Sequence, residues 1–145
     1  MKPLTIVLPD LESTGPILDV QLGNSPTGER ALRQHGQAVP APVSVRALID
    51  TGSDMCALDA GLAATLRLSL IGVQFLSGGF AGGSAALTAV PEYSAALAFS
   101  HGVVLDITAI EVPLPGGLQL LIGRDLLAKT HFAYDGLGNS FTLTV

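Results

Sequence analysis

Cysteine is almost absent from the sequence. The one cysteine, Cys56, excludes an intrachain disulfide framework and a zinc site built from several cysteines. The three histidines (His35, His101 and His131) lie far apart and lack the spacing of metal ligands. We therefore expect no metal site, and we expect Cys56 to be a core side chain rather than a nucleophile.

Charged residues are also scarce. They make up 13% of the chain, against about a quarter in typical domains. The seven lysines and arginines are scattered and form no basic stripe, so nucleic acid is not an expected partner. Because 48% of the residues are hydrophobic, few charges remain to cover a monomer's surface, which favours a sizeable buried interface.

Long hydrophobic runs are missing as well. No stretch approaches the roughly 18 apolar residues of a membrane span. The apolar run at the amino end is too short for a signal peptide, because acidic residues follow it at Asp10 and Glu12. We expect a cytoplasmic protein with no membrane partner.

Short β-type runs dominate, separated by turn signals. We predict one domain over residues 1–145, with an amino-terminal extension at 1–15 and an inserted polar loop at 23–42 that could hold a helical turn. Two segments have helical patterns: residues 60–66, capped by Asp59, and residues 124–130. The predicted strands cover residues 4–8, 17–22, 43–49, 73–76, 85–90, 93–99, 103–112, 118–122 and 141–145.

A short polar motif, Asp50-Thr51-Gly52-Ser53-Asp54, stands directly after the apolar strand at 43–49. Asp, Thr, Gly and Ser all favour turns, so a simple turn is one interpretation. A catalytic carboxylate at Asp50 is the other. Later in the chain a second apolar run enters a predicted helix, in "LLIGRDLL" (Leu120–Leu127).

These two segments, with the glycine-rich "SGGFAGGS" (Ser77–Ser84) between them, resemble the retropepsins, the single-domain aspartic proteases of retroviruses and their bacterial and eukaryotic relatives. The resemblance covers residues 17–145, and the final "YDGLGNSFTL" (Tyr134–Leu143) is more similar to the bacterial members. It implies an all-β acid-protease barrel with two short helices and one lobe per chain. It also implies an aspartic endopeptidase that needs no cofactor and acts on a peptide or protein.

Peptide hydrolysis by this route needs two carboxylates that share one water. One takes a proton from the water and the other protonates the scissile carbonyl, and at such close range both cannot be ionised. Asp-Thr-Gly occurs only once in the chain. The resemblance therefore implies a homodimer in which Asp50 of each subunit supplies half of the dyad.

The resemblance also implies roles for the neighbours of Asp50. Thr51 would hydrogen-bond across the twofold axis, and Gly52 would let the substrate backbone approach closely. Ser53 would donate to the outer oxygen of Asp50. Asp54 and Arg124 would form an ion pair that holds the loop to the helix and borders the substrate.

The resemblance also implies a hairpin flap over the substrate, at residues 72–90. Its glycines would allow bending and would expose backbone N–H groups to substrate carbonyls, although an ordinary hairpin turn has the same pattern. The predicted flap residues near the tip are Gly78, Gly79, Phe80, Ala81 and Gly82.

The carboxyl end is predicted to contribute to the dimer. Residues 141–145 have a strand pattern, and we expect this strand to pair across the interface. Asp125 is expected in the first turn of the second helix, where an acid interacts favourably with the helix dipole.

Two alternatives remain at this point. The chain could keep the fold but serve only as a dimerisation or peptide-binding module, its acids merely holding loops together. It could also be an unrelated small β-barrel with an Asx-type turn at Asp50.

Overall fold

The computed structural model describes residues 1–77 and 87–145, and strands dominate this part of the chain. Four short helices accompany ten strands within these residues. The strands are β1 (Pro3–Val7), β2 (Ile17–Gly23), β3 (Val43–Ile49), β4 (Cys56–Leu58), β5 (Ser69–Leu76), β6 (Thr88–Ala98), β7 (Val104–Glu111), β8 (Leu120–Ile122), β9 (His131–Asp135) and β10 (Ser140–Thr144). The helices are α1 (Leu11–Thr14), α2 (Pro26–Gln34), α3 (Leu62–Leu66) and α4 (Arg124–Leu127).

Six strands close into a barrel. Neighbouring strands follow the order β2-β3-β8-β4-β7-β6, and β2 returns to pair with β6 through Gln21–Gly23 and Ala96–Ala98. Strand β5 continues the sheet outside the ring by pairing with β6. The predicted all-β barrel is confirmed.

Alternating side chains explain how the barrel encloses its core. In β3, Val45, Ala47 and Ile49 are buried, while Arg46 on the opposite face is exposed. All three residues of β8 are buried, so this strand has no polar face. The inward side chains of β2, β3, β6 and β8 join one hydrophobic cluster with α3 and α4.

The two predicted helices are present but shorter than expected, and two further helices accompany them. The first predicted helix begins only at Leu62, with Gly61 as its N-cap in a left-handed conformation (φ 92°). The predicted cap at Asp59 is wrong, because its carboxylate accepts a hydrogen bond from the Leu114 amide (2.8 Å) instead. Among the described residues, no helix is both long and apolar enough to span a membrane.

The predicted loop at 23–42 contains α2, and its possible helical turn is therefore a helix of nine residues. Ser25 caps this helix by accepting a hydrogen bond from the Gly28 amide (3.1 Å). Hydrogen bonds also fasten the start of the segment to the barrel. The Ser25 and Ser94 hydroxyls lie 2.6 Å apart, and the Asn24 amide donates to the Leu66 carbonyl (2.7 Å).

The chain termini form a separate three-stranded sheet. Strand β10 lies at its centre, with β1 on one side and β9 on the other, and both pairs are antiparallel. The prediction that the carboxyl-terminal strand pairs across a dimer is therefore wrong. Both of its edges are occupied by strands of its own chain, which leaves no backbone donors or acceptors for a partner.

Candidate active site

The two sequence motifs meet at the ends of β3 and β8. These strands run parallel, with Ile49 opposite Ile122, and the Asp50 amide donates to the Ile122 carbonyl (3.0 Å). Asp50 therefore begins its loop at the point where "LLIG" ends its strand and α4 starts. The barrel thus places the single Asp-Thr-Gly motif beside Arg124.

Asp50 lies in a tight turn. One oxygen of its carboxylate accepts a hydrogen bond from the Gly52 amide (2.9 Å), and the Ser53 amide donates to the Asp50 carbonyl (3.1 Å). This is an Asx turn, which explains why short polar residues follow the strand. Asp50 is half-buried, and Thr51 and Gly52 are exposed. In the single chain, this loop therefore presents an acid at an open surface.

Ser53 does not have its predicted partner. Its side chain is buried, and the hydroxyl donates to the Met55 carbonyl (2.7 Å) rather than to the carboxylate of Asp50. The physical reason is local: the loop turns the hydroxyl inward, where it satisfies a backbone acceptor two residues along. Ser53 thus supports the shape of the loop.

Asp54 and Arg124 do not form the predicted ion pair within the chain. In the described residues, the only ion pair joins Arg33 to Glu29 on α2. The Arg124 guanidinium instead donates to the Thr51 carbonyl (2.8 Å), and its backbone amide donates to the Ser53 carbonyl (2.9 Å). Arg124 thus fastens the loop to α4 through backbone carbonyls and not through the predicted ion pair.

Asp125 has a larger part than the sequence suggested. It lies in the first turn of α4, as expected, but its carboxylate also accepts hydrogen bonds from the amide and the thiol of Cys56, both at 3.1 Å. Cys56 is buried, as predicted, and this burial raises the pKa of its thiol to about 12, with the nearby Asp125 adding to the shift. The thiol thus stays protonated.

The motif analysis also gave no role to Gly123. A Cβ at this position would overlap the backbone carbonyl group of Met55. The absence of a side chain therefore lets α4 approach the loop closely enough for the Arg124 and Asp125 contacts. Only its place between a strand and a helix hinted at this in the sequence.

The arms of the predicted flap are antiparallel, with a shift in register between Leu70 and Gly72, and the tip lies outside the described residues. Strand β5 pairs with β6 as far as Leu76 and Thr88. Several apolar side chains on this hairpin are exposed. They are Leu70, Ile71, Val73, Phe75 and Leu87. The named tip residues are not described: Gly78, Gly79, Phe80, Ala81 and Gly82.

The solved structures whose folds are similar to this chain include two proteases. A retropepsin-like aspartic protease from Rickettsia conorii matches with a TM-score of 0.58 and 13% sequence identity, over 98% of this chain and 91% of that chain. The EIAV protease in complex with the inhibitor HBY-793 matches with a TM-score of 0.48 and 16% identity, over 81% of this chain and 88% of the other.

Sequence comparisons give no match. No protein-family model matches the chain, and no curated protein does either. The similarity is therefore one of fold. On the strength of the Rickettsia conorii match and the strand order, the chain has a retropepsin-like fold.

Proposed function

We propose that this chain is an aspartic endopeptidase, active as a homodimer in which Asp50 of each subunit binds one water between two carboxylates. The observation that carries the proposal is the placement of Asp50. It directly follows a barrel strand of a retropepsin-like fold, at an open surface, in a turn fixed by the Gly52 amide.

The chemistry follows from a shared proton. The ionised carboxylate takes a proton from the water as its oxygen attacks the carbonyl carbon of the peptide bond, and the protonated carboxyl gives its proton to the carbonyl oxygen. As the tetrahedral intermediate collapses, one of its hydroxyls returns a proton to the dyad, the C–N bond breaks, and the amine leaves with the proton that the dyad took from the water. Neither a metal nor an organic cofactor takes part.

Two features of the surface support the proposal that a second subunit or a peptide binds here. Thr51 and Gly52 are exposed beside Asp50, as a loop that meets its twofold mate requires. The β5–β6 hairpin also exposes large apolar side chains, among them Phe75 with 66% of its surface exposed. Such a patch is typical of a surface that another chain or an extended peptide covers.

Cleavage of a peptide library tests the proposal. The wild-type protein should cleave peptides in mildly acid solution, a statine inhibitor that mimics the tetrahedral intermediate should block this, and Asp50→Asn should abolish cleavage while the dimer persists. Asp10→Asn, on an exposed residue before α1, is the matched control and should cleave normally. Cleavage by the Asp50→Asn protein would contradict the proposal.

A non-proteolytic dimerisation or peptide-binding module is the second candidate, favoured by one observation. The Asp50 carboxylate already accepts a hydrogen bond from the Gly52 amide, so the acid has a structural role in the loop. If the wild-type protein dimerises and binds peptides but cleaves none of the library, this second function is correct.

A further inference from the structure

The carboxylate of Asp125 accepts three hydrogen bonds, and two of them come from one residue. Its Oδ2 accepts from the Cys56 amide (3.1 Å), and its Oδ1 accepts from the Cys56 thiol (3.1 Å) and from the Leu126 amide (2.8 Å). In addition, the backbone amide of Asp125 donates to the Asp54 carbonyl (3.2 Å). One helical residue therefore holds both ends of the segment Asp54–Cys56.

This segment joins the loop of Asp50 to β4. Its middle residue, Met55, is fixed from two further sides: the Ser53 hydroxyl donates to its carbonyl, and Gly123 packs against its backbone. The Cys56 thiol is a permanent donor, because its burial keeps it protonated well beyond neutral pH. Hydrogen bonds to a carboxylate are among the stronger ones in proteins, so Asp125 helps to hold this segment in place.

We propose that Asp125 is a positioning residue for substrate binding, which sets the place of the segment Asp54–Cys56 through its bonds to the amide and thiol of Cys56. The inference rests on the proposed function, because this segment directly continues the loop of Asp50 and its first residue, Asp54, is exposed beside that loop. Asp125 acts on the substrate only through Cys56 and Asp54, because its own carboxylate is occupied by three donors.

Three variants separate positioning from simple stability. Asp125→Ala removes all three bonds, whereas Asp125→Asn keeps one oxygen acceptor. Asp106→Asn is the matched control, because Asp106 lines the same cavity of about 280 Å³ as Asp125 but belongs to β7. Each protein is prepared as the full chain, and its active sites are counted by titration with a statine inhibitor.

The expected result is a change in KM rather than in kcat. Asp125→Ala should raise KM about tenfold with kcat per titrated site within threefold of wild type, since displacement of a positioning group is costly. The KM of Asp125→Asn should lie between the values of wild type and Asp125→Ala, and the KM of Asp106→Asn should equal that of wild type. A merely structural role would instead lower the titratable fraction and leave KM unchanged, and that outcome would overturn the inference.

A second measurement does not need activity. In amide spectra of the folded proteins, Asp125→Ala should shift the resonances of Asp54, Met55 and Cys56 while those of the terminal sheet stay in place. If these resonances do not shift, Asp125 does not position the segment, and this conclusion holds whether or not the variant is active. If they move but the wild-type protein cleaves no peptide, the proposed protease is wrong while the contact to the segment stands.

Discussion

Single side chains decide the shape of the loop after β3 by bonding to backbone groups. Asp50 accepts from the Gly52 amide, Ser53 donates to the Met55 carbonyl, and Arg124 donates to the Thr51 carbonyl. The sequence indicated which residues belong to the loop, because strand patterns and turn residues are local signals. It did not indicate the partners of Ser53 and Arg124, since these depend on how closely α4 approaches.

Cys56 gives a prediction at this scale. An unfolded thiol loses its proton near pH 9.0, while the buried one keeps it to about pH 12. Between these values the folded state binds one proton more, so the free energy of unfolding falls as pH rises, by at most about 1.4 kcal/mol per pH unit. Cys56→Ser keeps a hydroxyl donor toward Asp125 but does not titrate there.

Urea unfolding of both proteins between about pH 8 and pH 11 measures this effect, because groups common to both cancel in the difference. The stability of wild type relative to Cys56→Ser should be constant below pH 9 and should decline above it. A difference that stays constant to the alkaline end would show that Cys56 ionises normally in the folded state.

At the scale of elements, the prediction from sequence depended on length and alternation. The strand at 43–49 was predicted with its exact bounds, because buried and exposed residues alternate along it. Strand β4 was missed, since its three residues are all buried and show no period. Two predicted strands are in fact the single strand β6. Its Pro91 stands opposite Val73 of β5 and just beyond the pairs with β7, which start at Glu92.

The start of α4 carries the next prediction. Because a side chain at Gly123 would overlap the backbone of Met55, Gly123→Ala should lower the free energy of unfolding by about 3 kcal/mol. Gly72→Ala is the control, since a Cβ there would meet only a Glu92 oxygen at 3.7 Å. Denaturant unfolding of the two variants gives the comparison, and equal stability would mean that α4 and the loop are not in close contact.

On the scale of the whole molecule, the barrel was predictable and the terminal sheet was not. Strand patterns gave an all-β chain, and the motif resemblance gave the retropepsin-like arrangement that the structure shows. Which strand lies beside β10 depends on residues at opposite ends of the chain, such as Leu4 opposite Leu143. A strand pattern contains no information about a partner so distant in sequence.

The completeness of this sheet leads to a prediction about dissociation. Because β1, β10 and β9 pair within one chain, separating the proposed dimer breaks no strand pairing of the terminal sheet. Dilution should therefore yield a folded monomer that has lost activity but keeps its far-ultraviolet circular dichroism. Dissociation is measured by sedimentation. If the strand signal is lost together with the dimer, the terminal strands need the partner.

The most direct test of the account mixes wild-type subunits with Asp50→Asn subunits at constant total concentration, after subunit exchange. If each active site needs one Asp50 from each of two chains, activity falls as the square of the wild-type fraction, because mixed dimers have only one carboxylate. Activity in simple proportion to the wild-type fraction would mean that one chain holds a complete site, and it would contradict the shared dyad.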